Sequence, residues 1–165
     1  MRSIELTFDA KTDAAIRNDW AALSAAGLPS LASHTGSSNR PHLTLAAGVD
    51  LTDSASLRSC FAGLPLPVRF GGLVVFGAGV RRFVLARQVV AASGLLELHR
   101  RVHAAAPGAV EQTLPDRWVP HVTLARRLDP AELGTALTLI GGPPDLAAVA
   151  ACLWDSAEKT ITALH

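Results

Sequence analysis

The sequence predicts a two-lobed fold of mixed strands and helices, its lobes related by a pseudo-two-fold axis. Three observations carry that expectation. The stretch Pro41-His42-Leu43-Thr44-Leu45-Ala46 recurs further along as Pro120-His121-Val122-Thr123-Leu124-Ala125. The segments after the two copies also match: Val49-Asp50 against Leu128-Asp129, then a short helical run, then two β-rich runs around a basic turn, Arg81-Arg82 against Lys159. Runs of period two alternate with runs of helical period along the whole chain. Two units are too few for a solenoid. Two lobes facing each other across a shared cleft is the natural arrangement.

Each element has a local reason. Arg2 to Phe8 alternates, with Ile4, Leu6 and Phe8 on one face of a strand. From about Thr12 to Ala26, Ile16, Trp20 and Leu23 form one helical stripe, which Gly27 and Pro29 stop. Ser30 to Arg40 is polar and reads as a loop. His42 to Ala47 is a strand opened by Pro41, where the missing N–H is tolerated. Leu51 to Ala62 reads as a short helix capped by Thr52 or Asp50. Val68 to Phe76 and Arg82 to Arg87 form a hairpin around Gly77-Ala78-Gly79. Val90 to Ala106 is helical, with Leu95, Leu98, Val102 and Ala105 as its stripe and Pro107-Gly108 as its end. Glu111 to Arg117 is a polar loop, Val119 to Arg126 a strand and Pro130 to Leu139 a helix. After a break at Gly141 to Pro144, Leu146 to Trp154 and Thr160 to Leu164 form a closing hairpin. No linker divides the chain, so one bilobal domain over 1–165 is expected.

Composition narrows the function. The chain has 165 residues, 49% of them hydrophobic, so it can bury a sizeable core. Fifteen basic and 14 acidic residues give a formal charge of +1. That disfavours non-specific coating of nucleic acid but leaves room for a local basic pocket. Cys60 and Cys152 make no disulfide framework and read as small buried hydrophobes. Glu5 interrupts what a leader would need as an apolar run, and Leu146 to Trp154 is far short of a membrane span. A cytoplasmic monomer is expected, with no membrane partner.

The repeated motif is where the chemistry lies. In a strand, positions two apart share a face. His42 and Thr44 therefore project together, as do His121 and Thr123, while Leu43, Leu45, Val122 and Leu124 point into the core. A shared cleft then holds two imidazoles and two hydroxyls. A neutral histidine can take a proton from an attacking water or hydroxyl, and a protonated one can give a proton to the leaving oxygen. Threonine hydroxyls can hold the non-bridging phosphoryl oxygens, and an arginine can stabilise the developing charge. The set suits phosphodiester chemistry with no cofactor and no metal. A chance pair of such motifs is expected at roughly 10⁻⁵.

The two motifs, the second continuing into Arg126, resemble the signatures of the 2H phosphoesterase superfamily, and within it the 2'-5' RNA ligase / RNA 2',3'-cyclic phosphodiesterase family. The resemblance covers essentially the whole chain. It implies a bilobal α+β fold, with two antiparallel sheets lining a central cleft and helices outside. It implies opening of 2',3'-cyclic phosphates to 2'-phosphates, with reversible 2'-5' ligation in some members. It makes His42 and His121 the acid/base pair and Thr44 and Thr123 the phosphate contacts, with Arg126 as the basic residue after the second motif. The partner would be an RNA 3' end or a small nucleotide carrying a cyclic phosphate. Bacterial RNA enzymes of this type usually continue the first motif with a basic residue and an aromatic. Here the continuation is Ala46-Ala47-Gly48 and tyrosine is absent, which counts against long-RNA binding and makes a small nucleotide cyclic phosphate or another cyclic phosphodiester an alternative substrate. A non-catalytic nucleotide or RNA binder that keeps the cleft is the competing expectation, and a purely structural module a third.

Other residues are secondary. Arg40 is placed to reach the cleft, and Trp118 to stack on a base. Strand parity puts Arg127, not Arg126, on the histidine face, so a bulge or strand end has to re-aim Arg126. His99 and His103 stand four apart on a helix and read as a solvated basic face rather than a zinc pair. His34 reads as an exposed loop residue and His165 as a frayed terminus.

Overall fold

In the computed structural model, residues 1–34, 36, 38–142 and 149–164 are described. The elements run β1 (Arg2–Phe8), α1 (Ala10–Ala25), β2 (His42–Gly48), α2 (Ala55–Ser59), β3 (Phe70–Gly77) and β4 (Phe83–Val89). They continue with α3 (Ser93–Ala105), β5 (His121–Leu128), α4 (Pro130–Leu139), β6 (Val149–Asp155) and β7 (Thr160–Ala163). The two polar loops carry short 3-10 turns at Leu31–Ser33 and Glu111–Thr113. The fold is α+β, as expected, with every strand pair antiparallel.

Local signals set most boundaries. Asp9 caps α1 through the Thr12 N–H, and Gly27, at φ +74°, ends it in the left-handed region where only glycine is unstrained. Asp129 and Glu132 form a reciprocal capping box on α4, with Pro130 in its first turn. The α2 helix is shorter than its sequence suggests. Its cap is Ser54, not Thr52 or Asp50, because Leu51 is buried and holds the chain extended before the helix. The α3 helix starts three residues late, since the Val90 N–H is taken by the Arg69 carbonyl. The predicted break at 141–144 and start of the closing hairpin at 146–148 lie partly outside the described residues, as does His165.

The sheets show what the repeat means. One has the order β2-β1-β6-β7 and the other β3-β4-β5. Each motif strand lies at an edge, next to the first strand of its own half: β2 beside β1, β5 beside β4. The third strand of each sheet comes from the other half of the chain. The repeat is therefore β1-α1-β2-α2-β3 against β4-α3-β5-α4-β6, with the last strands exchanged and β7 added. This corrects the alignment of the two hairpins: β4 is central in its sheet, whereas β7 is an edge. The helices cross as well, α1 packing on β5 and α3 on β2.

The faces predicted for the core are there. Leu43, Leu45, Val122 and Leu124 are almost wholly buried, together with Ile16, Trp20 and Leu23 of α1 and Leu95, Leu98 and Val102 of α3. Burial of each large side chain contributes about 1.5–3 kcal/mol. Gly48 closes β2 because a Cβ there would stand 2.6 Å from the Gly108 carbonyl oxygen. That close approach lets the Val110 N–H bond the Ala47 carbonyl at 2.7 Å and brings the 111–118 loop over β2.

Candidate active site

Each motif strand carries a bulge at the same place. Thr44 pairs with Glu5 but Ala46 with Ile4, so Leu45 is the extra residue in β2. Thr123 pairs with Ala86 but Ala125 with Leu85, so Leu124 is the extra residue in β5. A bulge leaves buried backbone groups without ladder partners. Two indoles meet this need: Trp20 Nε1 donates to the Thr123 carbonyl at 3.0 Å, and Trp118 Nε1 to the Thr44 carbonyl at 2.9 Å.

The bulges also re-aim the residues after them. Beyond Leu124 the parity of β5 is reversed, so Ala125 turns to the core and Arg126 to the histidine face. Arg127 takes φ +65° at a second irregularity. Arg126 lines the cleft on both sides of the histidines and makes no hydrogen bond or ion pair among the described residues. Ala47 is its counterpart in β2 and faces the same cleft.

The two imidazoles are held alike. His42 Nδ1–H donates to the Arg40 carbonyl at 2.8 Å, and His121 Nδ1–H to the Val119 carbonyl at 2.7 Å. A carbonyl only accepts, so both rings carry the proton on Nδ1 and leave Nε2 for the cleft. Phe76 lies against His121, with ring centroids 4.7 Å apart. On the other side, Glu5 Oε1 lies 3.9 Å from His42 Nε2. Burial pushes His121 below the usual imidazole range. The Val119 carbonyl opposes this, and the charges of His42 and Arg126 add to it.

The cleft has two arms. One is a cavity of about 750 Å³ bounded by Phe76, Gln112, Trp118, His121, Thr44 and Thr123. The other, about 570 Å³, runs past His42, Glu5, His34 and Lys159. Both sizes suit a small ligand. Neither threonine hydroxyl is engaged in a hydrogen bond among the described residues.

The structure thus brings His42, Thr44, His121, Thr123, Arg126 and Trp118 to one cleft. Arg40 is not among the lining residues. Its Nη2 donates to Cys152 Sγ at 3.1 Å, and its backbone orients His42. Trp118 has one face against His99, at a centroid distance of 4.0 Å and an angle of 6°, so that face is not open to a base.

The predicted solvated face of α3 is overturned. His99 is 2% exposed and donates from Nε2 to the Thr113 carbonyl, while His103 Nε2 donates to the Leu45 carbonyl at the β2 bulge. Burial, then the neighbouring His103, pushes His99 down to about 4. Among the described residues no three His, Cys, Asp or Glu side chains converge to hold a metal. Cys60 and Cys152 are buried and free, as expected. Sequence reasoning missed Glu5, Phe76, Gln112 and Lys159. Glu5 had one signal, an acid on the polar face of a strand alternating with Ile4 and Leu6.

The sequence model of the 2'-5' RNA ligase superfamily matches residues 12–165. The chain belongs to this superfamily. It is a 2H phosphoesterase by family. Comparison with curated proteins gave no significant match. Among the described residues, no helix of this 2H phosphoesterase is long and apolar enough to cross a membrane.

Proposed function

We propose that this 2H phosphoesterase opens 2',3'-cyclic phosphates of nucleotides or RNA ends to 2'-phosphates. The observation that carries the reading is the matched pair of imidazoles, each with Nδ1–H fixed by a carbonyl two residues upstream and Nε2 left for one cleft. One Nε2 takes a proton from water as its oxygen attacks phosphorus. The other gives a proton to O3' as the P–O3' bond breaks. One water is consumed, and the product is the 2'-phosphomonoester. Thr44 and Thr123 hold the non-bridging oxygens, and Arg126 stabilises the charge that builds on them. The nucleoside lies in the arm walled by Phe76 and Trp118. The same steps, with a 5'-hydroxyl in place of water, give 2'-5' ligation, and their reversal cleaves the 2'-5' linkage.

The test is phosphorus NMR of 2',3'-cyclic mononucleotides, a cyclic-phosphate-ended oligoribonucleotide and a 2'-5' dinucleotide, each incubated with the protein in EDTA. The expected product is a 2'-phosphate, formed fastest from the small substrates. His42→Ala and His121→Ala should each lower kcat by about 10²–10⁴-fold. Absence of turnover by the wild-type protein overturns the reading. Tight nucleotide binding without product would instead make the cleft a sensor.

A further inference from the structure

The two halves of the cleft hold their motif threonines by the same bond, reached by different routes. The spacing that carries Pro41 onto Pro120 carries Trp20 onto His99. Trp20 of α1 donates to the Thr123 carbonyl at 3.0 Å. His99 of α3 donates instead to the Thr113 carbonyl at 2.9 Å and lies flat against Trp118, at a centroid distance of 4.0 Å and an angle of 6°. Trp118, from the loop before β5, then supplies the donor to the Thr44 carbonyl, at 2.9 Å. The bond recurs although the position that makes it does not, so the bond itself is what the two halves share. Resting on the hydrolytic reading above for the phosphate in the cleft, we propose that Trp20 and Trp118 are positioning residues, Trp20 aiming Thr123 and Trp118 aiming Thr44 at the phosphoryl group.

The backbone explains why that bond reaches the hydroxyl. A carbonyl lies in one plane with the N–H that follows it. Fixing the Thr44 carbonyl therefore fixes ψ of Thr44 and the course of the chain into the extra residue, Leu45. The ladder cannot do this, because the bulge interrupts the pairing at that point. The Thr123 carbonyl stands in the same relation to Leu124. Both threonines line one cavity with His121 and Arg126, and neither hydroxyl has a hydrogen-bond partner among the described residues. Their aim therefore rests on the backbone that carries them. Two further bonds brace β2 here: His103 Nε2 donates to the Leu45 carbonyl at 3.1 Å, and the Ala47 N–H to Thr113 Oγ1 at 3.4 Å. The indoles differ in their surroundings. Trp20 is 2% exposed and lies outside the cleft, whereas Trp118 walls the cavity. Loss of the Trp20 N–H thus leaves every ligand contact in place.

The experiment is a set of double-mutant cycles in kcat for a 2',3'-cyclic nucleotide. Thr44→Ala and Thr123→Ala should each lower kcat by about 10- to 100-fold, and Trp20→Phe and Trp118→Phe by about tenfold. In the Thr44→Ala background, Trp118→Phe should cost less than about twofold while Trp20→Phe keeps its full effect. In the Thr123→Ala background the two indoles exchange behaviour. Losses that multiply in every background overturn the proposal. So does an effect of Trp118→Phe confined to KM, which makes that indole a ligand wall only. Inorganic phosphate gives a second readout without turnover, since it carries no nucleoside to touch Trp118. Its affinity, measured by NMR titration, should fall in the same paired pattern. If the wild-type protein turns over no substrate, the hydrolytic reading falls and the phosphate pattern decides. Losses confined to each indole's own threonine then support the positioning roles, and equal losses in both backgrounds, or no loss in the threonine variants, overturn them. Trp118→Phe carries the test alone if Trp20→Phe does not fold.

Discussion

At the scale of single residues, the cleft is organised by hydrogen bonds that fix which atom faces the substrate. The Arg40 and Val119 carbonyls each hold a histidine Nδ1–H, so the tautomer is set before any ligand arrives. His121 is pushed below the ordinary range, first by burial, so the limb of kcat/KM that its ionisation sets is expected below pH 6.5. A pH–rate profile from 4.5 to 9 checks this. Arg126 and Arg127 give a sharper contrast. Arg126→Ala should lower kcat/KM by about 10²-fold or more, as for other lost oxyanion donors, whereas Arg127→Ala should stay within about twofold. His99 bears on stability rather than chemistry. Its folded form disfavours the proton down to about pH 4, so the unfolded chain binds more protons between about 6.5 and 4. Stability should therefore fall as pH falls through that window, by up to about 3 kcal/mol. Urea midpoints at pH 7 and 4.5 measure it, and His99→Gln should flatten the dependence.

At the scale of elements, the two bulges do the positioning. Each turns the residue after the motif onto the cleft face and exposes a buried carbonyl that an indole then satisfies. Trp20 is 2% exposed and lies outside the cleft, so its bond to the Thr123 carbonyl can be removed without touching a ligand. Trp20→Phe should cost about 1–3 kcal/mol, the penalty of an unsatisfied buried carbonyl, read by urea denaturation. Period-two alternation made the faces of His42, Thr44, His121 and Thr123 legible in the sequence, since that pattern is local. It failed one residue beyond Leu124, because a bulge is a property of the paired strands and not of either one. The helix stripes of α1 and α3 were legible for the same local reason. The burial of His99 was not, because it depends on Trp118 arriving from another loop.

At the scale of the whole molecule, the exchange of third strands ties the halves together. A sheet that draws β1 and β2 from one half and β6 from the other cannot close within either half. Fluorescence of Trp20, Trp118 and Trp154 and far-ultraviolet circular dichroism should therefore report one coincident urea transition. Fragments 1–79 and 80–165 should each remain unfolded alone. The repeat was visible in the sequence because motif and helix order are written along the chain. The exchange was not, because strand pairing is decided by which edges meet in space. By itself, the sequence determined the family, the two histidine strands and which of their faces is apolar, all of which depend on residue type and spacing. Only the tertiary structure decided that Arg126 faces the cleft and that Glu5 stands beside one histidine alone. Both depend on register between strands distant in sequence, and register is fixed by packing rather than by local pattern.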